Sequence, residues 1–161
     1  MRTKARDDRE AGRGRLGAIA GRHVRRPVRI LIADDHELVR QGMRAILSRE
    51  PGWVVCGEAT TGAQALALTL ELKPDILILD IGLPDMNGLE VTRRVRSALP
   101  VAVLIVTVFE DDQVVQEAIT AGASGYVLKA DAGRILADAV HAILRRREFV
   151  SEGVRAAANA G

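Results

Sequence analysis

From Val28 onward, short aliphatic runs alternate five times with stretches of helical periodicity, and that alternation leaves few folds open. The run VRILIA ends at Asp34-Asp35, and Leu38, Met43, Ile46 and Leu47 then recur at roughly helical spacing. Trp53 to Cys56 is predicted as the second strand and Thr61 to Leu72 as the second helix. Asp75 to Asp80, DILILD, is the third strand, apolar between two end carboxylates. The loop IGLPDMNG carries Pro84 and a closing Asn-Gly, both breakers of regular structure. Leu89 to Leu99 is the next helix, Val101 to Thr107 the fourth strand, and Asp111 to Ala121 a helix closed by Gly122. Gly125 to Lys129 is the fifth strand, and Asp131 is the expected N-cap of the last helix. Continuous rather than alternating apolar strands belong in a parallel sheet covered on both faces. Right-handed crossovers then leave an open, doubly wound α/β sheet as the natural solution, and in the order 2-1-3-4-5 strand two lies at its edge.

Composition narrows the class further. Aromatic residues make up only 2% of the chain, so the core has to be aliphatic. No apolar run approaches the roughly 20 residues of a membrane span, and the N-terminus lacks a signal-peptide core. Cys56 is the only cysteine, which excludes an internal disulfide, reads best as a buried strand residue and suits a cytoplasmic protein. Residues 1–27 hold nine Arg and Lys against three acids, a net of +6, while the rest of the chain nets −4. This basic leader has the composition of a disordered tail, preceding a domain over 28–150 and a C-terminal tail over 151–161. The leader reads as a solvated tail, as an Arg-based attraction to anionic polymers or surfaces, or as sequence upstream of a start near Val24 or Val28.

In an open parallel sheet, ligands bind at the carboxyl ends of the strands. Here those ends carry Asp34 and Asp35, Asp80, Thr107 and Lys129, whereas strand two, ending in Glu58-Ala59-Thr60, offers nothing comparable. Singly, each has a plain structural explanation. Asp34-Asp35 suits a helix N-cap, Asp80 a turn, Thr107 an ordinary strand position and Lys129 a solvated charge. Together they are three carboxylates, a hydroxyl and an ammonium on one rim. Carboxylates that close repel unless a cation lies among them, and hard oxygen donors without Cys or His select Mg²⁺.

The pieces LIADDHELVRQGM, DILILDIGLPDMNGLEV, VLIVTVFEDD and AGASGYVLK resemble the receiver domain of two-component response regulators over the full domain length. AGASGYVLKA and DDHELVRQGM are most similar to the NarL/FixJ-type subfamily. The resemblance implies a CheY-like, flavodoxin-like (βα)5 fold and a phosphorelay role. It implies that Asp80 accepts the phosphoryl group and that Asp34, Asp35, Asp80 and the backbone carbonyl of Gly82 bind Mg²⁺. Thr107 and Lys129 then contact phosphoryl oxygens. Tyr126 turns inward as the helix 4, strand 5, helix 5 surface switches, and Pro84 and Gly88 shape the loop after the acceptor. The implied donor is a phosphohistidine on a histidine kinase or phosphotransfer protein. His23, His36 and His141 carry no such motif and read as structural or surface residues.

Two departures from the family pattern bear on behaviour. Ala130 follows Lys129 where many receivers have proline, and a cis bond there would cost about 2.5–4 kcal/mol without it. Phe109 is bulkier and more apolar than the usual occupant, which implies hindrance of the water that hydrolyses the phosphorylated form. The eleven residues after Val150 cannot hold the helix-turn-helix domain that NarL/FixJ-type proteins usually add, so sequence-specific DNA binding is not expected. The Arg145-Arg146-Arg147 run reads as complementing the dipole of the last helix. A stand-alone receiver and a truncated transcription regulator both fit, and the downstream partner and homodimerisation stay open. A metal-dependent phosphohydrolase fits less well, because strand one lacks its Asp-x-Asp pattern. An unphosphorylated pseudo-receiver used for docking remains the alternative.

Overall fold

The computed structural model describes residues 26–154. The expectations for leader residues 1–25 and tail residues 155–161 lie outside the described residues. The elements run β1 (Val28–Ala33), α1 (Glu37–Leu47), β2 (Trp53–Ala59), α2 (Gly62–Leu72), β3 (Ile76–Leu79) and α3 (Gly88–Ala98). They continue with β4 (Ala102–Thr107), α4 (Asp112–Ala121), β5 (Gly125–Leu128), α5 (Lys129–Leu144) and β6 (Phe149–Val150). All strand pairs are parallel, and the sheet order is β2-β1-β3-β4-β5-β6. The expected 2-1-3-4-5 arrangement is present, with one strand added at the β5 edge.

Side chains alternate between the faces of each strand, so one sheet supplies two cores. Ile30, Ile32, Ile76, Ile78, Leu104, Val106 and Val127 meet α1 and α5 through Met43, Leu47, Leu136, Ala139, Val140 and Ile143. Leu31, Leu77, Leu79, Val103, Ile105 and Tyr126 face the other way, toward Ala65 of α2, Val91 and Val95 of α3, and Val115 and Ala118 of α4. Each fully buried aliphatic side chain contributes about 1.5–3 kcal/mol, so both layers are needed to hold a sheet this apolar. Cys56 sits on β2, partly buried against the α2–α4 layer, and burial pushes its thiol pKa up. No helix among the described residues is long and apolar enough to cross a membrane.

The structure redraws several details. Leu38, expected on the core face of α1, is 81% exposed, and Arg40 takes a buried place instead. β5 ends at Leu128 and runs without a loop into α5, so Lys129 is the first residue of that helix. Its N-cap is therefore Leu128, and Asp131 lies within the first turn, where its carboxylate accepts a bond from Ser151 Oγ at 2.6 Å. All peptide bonds among the described residues are trans, Lys129–Ala130 included. The three arginines follow the helix rather than form its last turn, and Arg146 takes a left-handed φ of 59°. β6 is two residues long, below the length at which periodicity is visible. Its pairing is extended by the Ser151 N–H, which donates to the Tyr126 carbonyl at 2.9 Å. Ser151 and Val154, on the tail side of position 150, are both buried.

Candidate functional site

Because neighbouring strands run the same way, their carboxyl ends form one rim. The ladder continues one residue past two of them: the Asp34 N–H donates to the Ala59 carbonyl and the Asp80 N–H to the Ala33 carbonyl, each at 3.0 Å. Those bonds hold both aspartates at the sheet edge before their side chains are considered. Asp34 is 1% exposed and Asp80 5%. Lys129, projecting from the start of α5, closes over them. Its Nζ donates to Asp80 Oδ2 at 2.9 Å and lies 2.8 Å from Asp34 Oδ2, the latter an ion-pair contact rather than an aligned hydrogen bond. Burial acts to lower the Lys129 pKa, but the adjacent Asp34 and Asp80 carboxylates outweigh it and leave the pKa above its ordinary value.

One ammonium against three carboxylates leaves the rim anionic. Asp34 Oδ1 accepts the His36 backbone N–H at 2.8 Å, and His36 Nδ1 lies 3.1 Å from Asp34 Oδ1 and 3.0 Å from Asp35 Oδ1. His36, read from sequence as a plain structural or surface residue, therefore borders the site. One ligand atom from each of Asp34, Asp35, His36 and Asp80 falls within 4.8 Å of the others. Three of the four are carboxylates, a donor set that fits a hard divalent cation such as Mg²⁺. Beside them Thr107 is wholly buried, and its Oγ1 has no hydrogen-bond partner among the described residues. Buried hydroxyls are ordinarily paired, which sets this one apart.

The loop after β3 folds back on Asp80. The Gly82 N–H donates to Asp80 Oδ1 at 3.3 Å, and Pro84 lies exposed at the bend. Gly88 starts α3 where no side chain fits: a Cβ there would stand 2.3 Å from the Asp80 carbonyl oxygen. A Cβ placed on Gly82 would be 3.7 Å from Phe109 Cε2 and 4.0 Å from Asp80 Oδ2, so the Phe109 ring flanks the acidic rim. Tyr126 lies inside the α2–α4 layer. It is 1% exposed, and its hydroxyl donates to the Phe109 carbonyl at 2.7 Å. Desolvation first, then the Asp80 and Asp111 carboxylates, push its pKa up to about 12.

Arg40 and Glu58 were missed from sequence. Arg40 Nη1 donates to the Asp34 carbonyl at 2.8 Å, Nε to Glu58 at 3.1 Å and Nη2 to Glu37 at 2.8 Å. Strand two therefore does contribute to the rim, since Glu58 near its end anchors the cation that holds the Asp34 backbone. The available signal was an arginine at 40 in register with Met43 and Leu47, a charge on the core face of a helix. His141 lies at the other end of the sheet, where its ring packs 4.6 Å from Trp53 and Nε2 sits 3.1 Å from Glu50 Oε2.

The response regulator receiver domain matches residues 30–141. The response regulator protein VraR of Staphylococcus aureus is 40% identical over 114 residues, 70% of this chain and 54% of VraR. The chain thus spans about half the length of the curated relatives it matches. A LuxR-family two-component response regulator from Aurantimonas sp. SI85-9A1 superposes with a TM-score of 0.77 at 37% identity, over 80% of this chain and 93% of that one. The signal receiver domain of NarL from Mycobacterium tuberculosis does so with a TM-score of 0.73 at 35% identity, over 76% of this chain and all of that one. The parallel sheet and its acidic rim thus occur in a chain that belongs to the receiver domain family of two-component response regulators.

Proposed function

We propose that Asp80 accepts a phosphoryl group from a phosphohistidine on a histidine kinase or phosphotransfer protein. A carboxylate oxygen of Asp80 forms the new P–O bond as the P–N bond to the donor imidazole breaks, and the imidazole leaves neutral, keeping the proton already on its other ring nitrogen. Phosphoryl transfer asks the protein chiefly for positioning and charge neutralisation. Mg²⁺, held by Asp34, Asp35, Asp80 and the Gly82 carbonyl, would supply positive charge to the transferred oxygens. Lys129 exchanges part of its contact with the carboxylates for a phosphoryl oxygen, and the Thr107 hydroxyl donates to another. The observation that carries this reading is the pairing of Lys129 with both buried aspartates beside the unpartnered Thr107 hydroxyl.

Output follows from differential contacts. A phosphoryl group moves a conformational equilibrium only by what it binds better in one state. Thr107 ends β4, and the loop after it carries Phe109, whose carbonyl receives the Tyr126 hydroxyl. A shift of Thr107 toward the phosphoryl group is thereby relayed to the surface of α4, β5 and α5. The test is intact mass after incubation with Mg²⁺ and acetyl phosphate, for wild type and Asp80→Ala. One added phosphoryl mass in wild type alone supports the reading. No gain in folded wild type overturns it in favour of a docking module that works without phosphorylation.

A further inference from the structure

The loop joining β3 to α3 crosses the rim, yet its middle is tied down by a residue outside the acidic cluster. Asp85 Oδ1 accepts the Gly62 N–H at 2.6 Å, and Oδ2 accepts the Ala63 N–H at 3.0 Å. These amides open α2 and have no partner within their own helix. The side chain of Thr61, the N-cap of α2, accepts the Gln64 N–H and its carbonyl the Ala65 N–H, so the acceptors for Gly62 and Ala63 come from another element. Both bonds are charge-assisted and therefore stronger than neutral ones. The Ala63 and Gly62 amides hold the Asp85 carboxyl below the usual carboxylate range.

The contact is shaped as well as bonded. A Cβ on Gly62 would lie 2.6 Å from Met86 Cβ and 3.2 Å from the Met86 carbonyl, so the loop seats here only because residue 62 lacks a side chain. At the end of the same loop, Gly88 packs against the Asp80 backbone and its N–H donates to the Ile81 carbonyl at 2.9 Å. Leu83 N–H donates to that carbonyl too, at 3.0 Å. The segment is thus pinned to itself beside Asp80 and to α2 at Asp85. Gly82, whose N–H meets the Asp80 carboxylate, lies between these two anchors.

We propose that Asp85 is a positioning residue for the acceptor site, clamping the β3–α3 loop to the start of α2 so that Gly82 is held against Asp80. The inference rests on the phosphoacceptor reading and names a residue that acts on the same site from outside it. Groups that hold metal ligands in place typically change affinity by about 10–100-fold when lost, and an exposed clamp belongs at the low end. Asp85→Ala should weaken Mg²⁺ binding by about 10-fold, with the melting temperature little changed.

Calorimetric titration with Mg²⁺ well below the melting temperature tests this on wild type, Asp85→Ala, Asp85→Asn and Gln64→Ala. Asp85→Asn keeps one of the two acceptor oxygens and should regain part of the lost affinity. Gln64→Ala removes the side chain that takes the Thr60 N–H at 2.8 Å, at the same helix end but away from the loop, and should bind Mg²⁺ as wild type does. Unchanged affinity in Asp85→Ala overturns the proposal. So does equal weakening in Asp85→Asn, which would assign the effect to charge, or in Gln64→Ala, which would assign it to the helix end. If wild type binds no Mg²⁺, the phosphoacceptor reading and this one fall together. If wild type binds it and takes up phosphoryl while Asp85→Ala matches it, only this one falls.

Discussion

Thr107→Val should stabilise the unphosphorylated protein while weakening its response to phosphorylation. Thr107 is wholly buried, and its hydroxyl meets no acceptor or donor among the described residues. A buried hydroxyl without a partner costs about 1–3 kcal/mol, and valine removes that cost without changing shape. Both residues are β-branched and suit the end of β4, so neither rotamer nor strand preference opposes the change. The position shares a rim with Asp80 and Lys129, a polar setting for a new methyl group, so the low end applies: a gain of about 1 kcal/mol. For a domain of this size that raises Tm by about 3 °C. The phosphorylated form moves the other way, because a hydrogen bond to a charged oxygen contributes about 1.5–3 kcal/mol and valine cannot make it. Urea unfolding in Mg²⁺-free buffer reads the first effect, and the same titration after acetyl phosphate treatment reads the second. Destabilisation of the unphosphorylated variant by about 1 kcal/mol or more would refute the reasoning, since the hydroxyl would then be satisfied before any phosphoryl group arrives.

Tyr126 is the only tyrosine in the chain, so its titration can be followed directly by phenolate absorbance. In the folded protein the midpoint should lie at about 12, against about 10 once denatured. A raised folded pKa means that its contribution to stability is complete below the unfolded value and is lost as pH climbs from about 10 to about 12. A folded midpoint near the denatured one would show the phenol in solvent and remove the Phe109 contact from the proposed switch. Phe109→His replaces the apolar ring beside Gly82 with a polar one and should shorten the phosphorylated lifetime several-fold. Intact mass followed over time after removal of phosphodonor measures it, and decay no faster than wild type would sink the water-exclusion idea.

The residues proposed to do chemistry were legible because of where parallel strands end. Asp34, Asp80 and Thr107 could be placed on one rim from five apolar runs and the rule that such strands share a direction. Lys129 was placed on that rim even though its element was misread, since the end of β5 and the start of α5 are the same point in space. The residues that hold these groups were not legible, and the reason is physical. Asp85 and Glu58 look in sequence like any exposed acid. What distinguishes them are partners 18 to 23 positions away: the amides of Gly62 and Ala63 for one, the guanidinium of Arg40 for the other. Arg40 could have been noticed, because a charge in register with Met43 and Leu47 must be paired or expelled. Leu38 shows the limit of that reasoning, since its apolar side chain takes a solvent-facing place that periodicity assigned to the core. Tyr126 shows the same limit from the other side, because only the fold of the β4–α4 loop brings a carbonyl within reach of its hydroxyl. Periodicity assigns a residue to a strand end or a helix face, whereas its partner depends on how loops distant in sequence are laid across the rim. For this chain, the candidate chemistry follows from the first kind of information and its positioning from the second. Asp80 and Asp85, five positions apart on one loop, were legible to such different degrees for that reason.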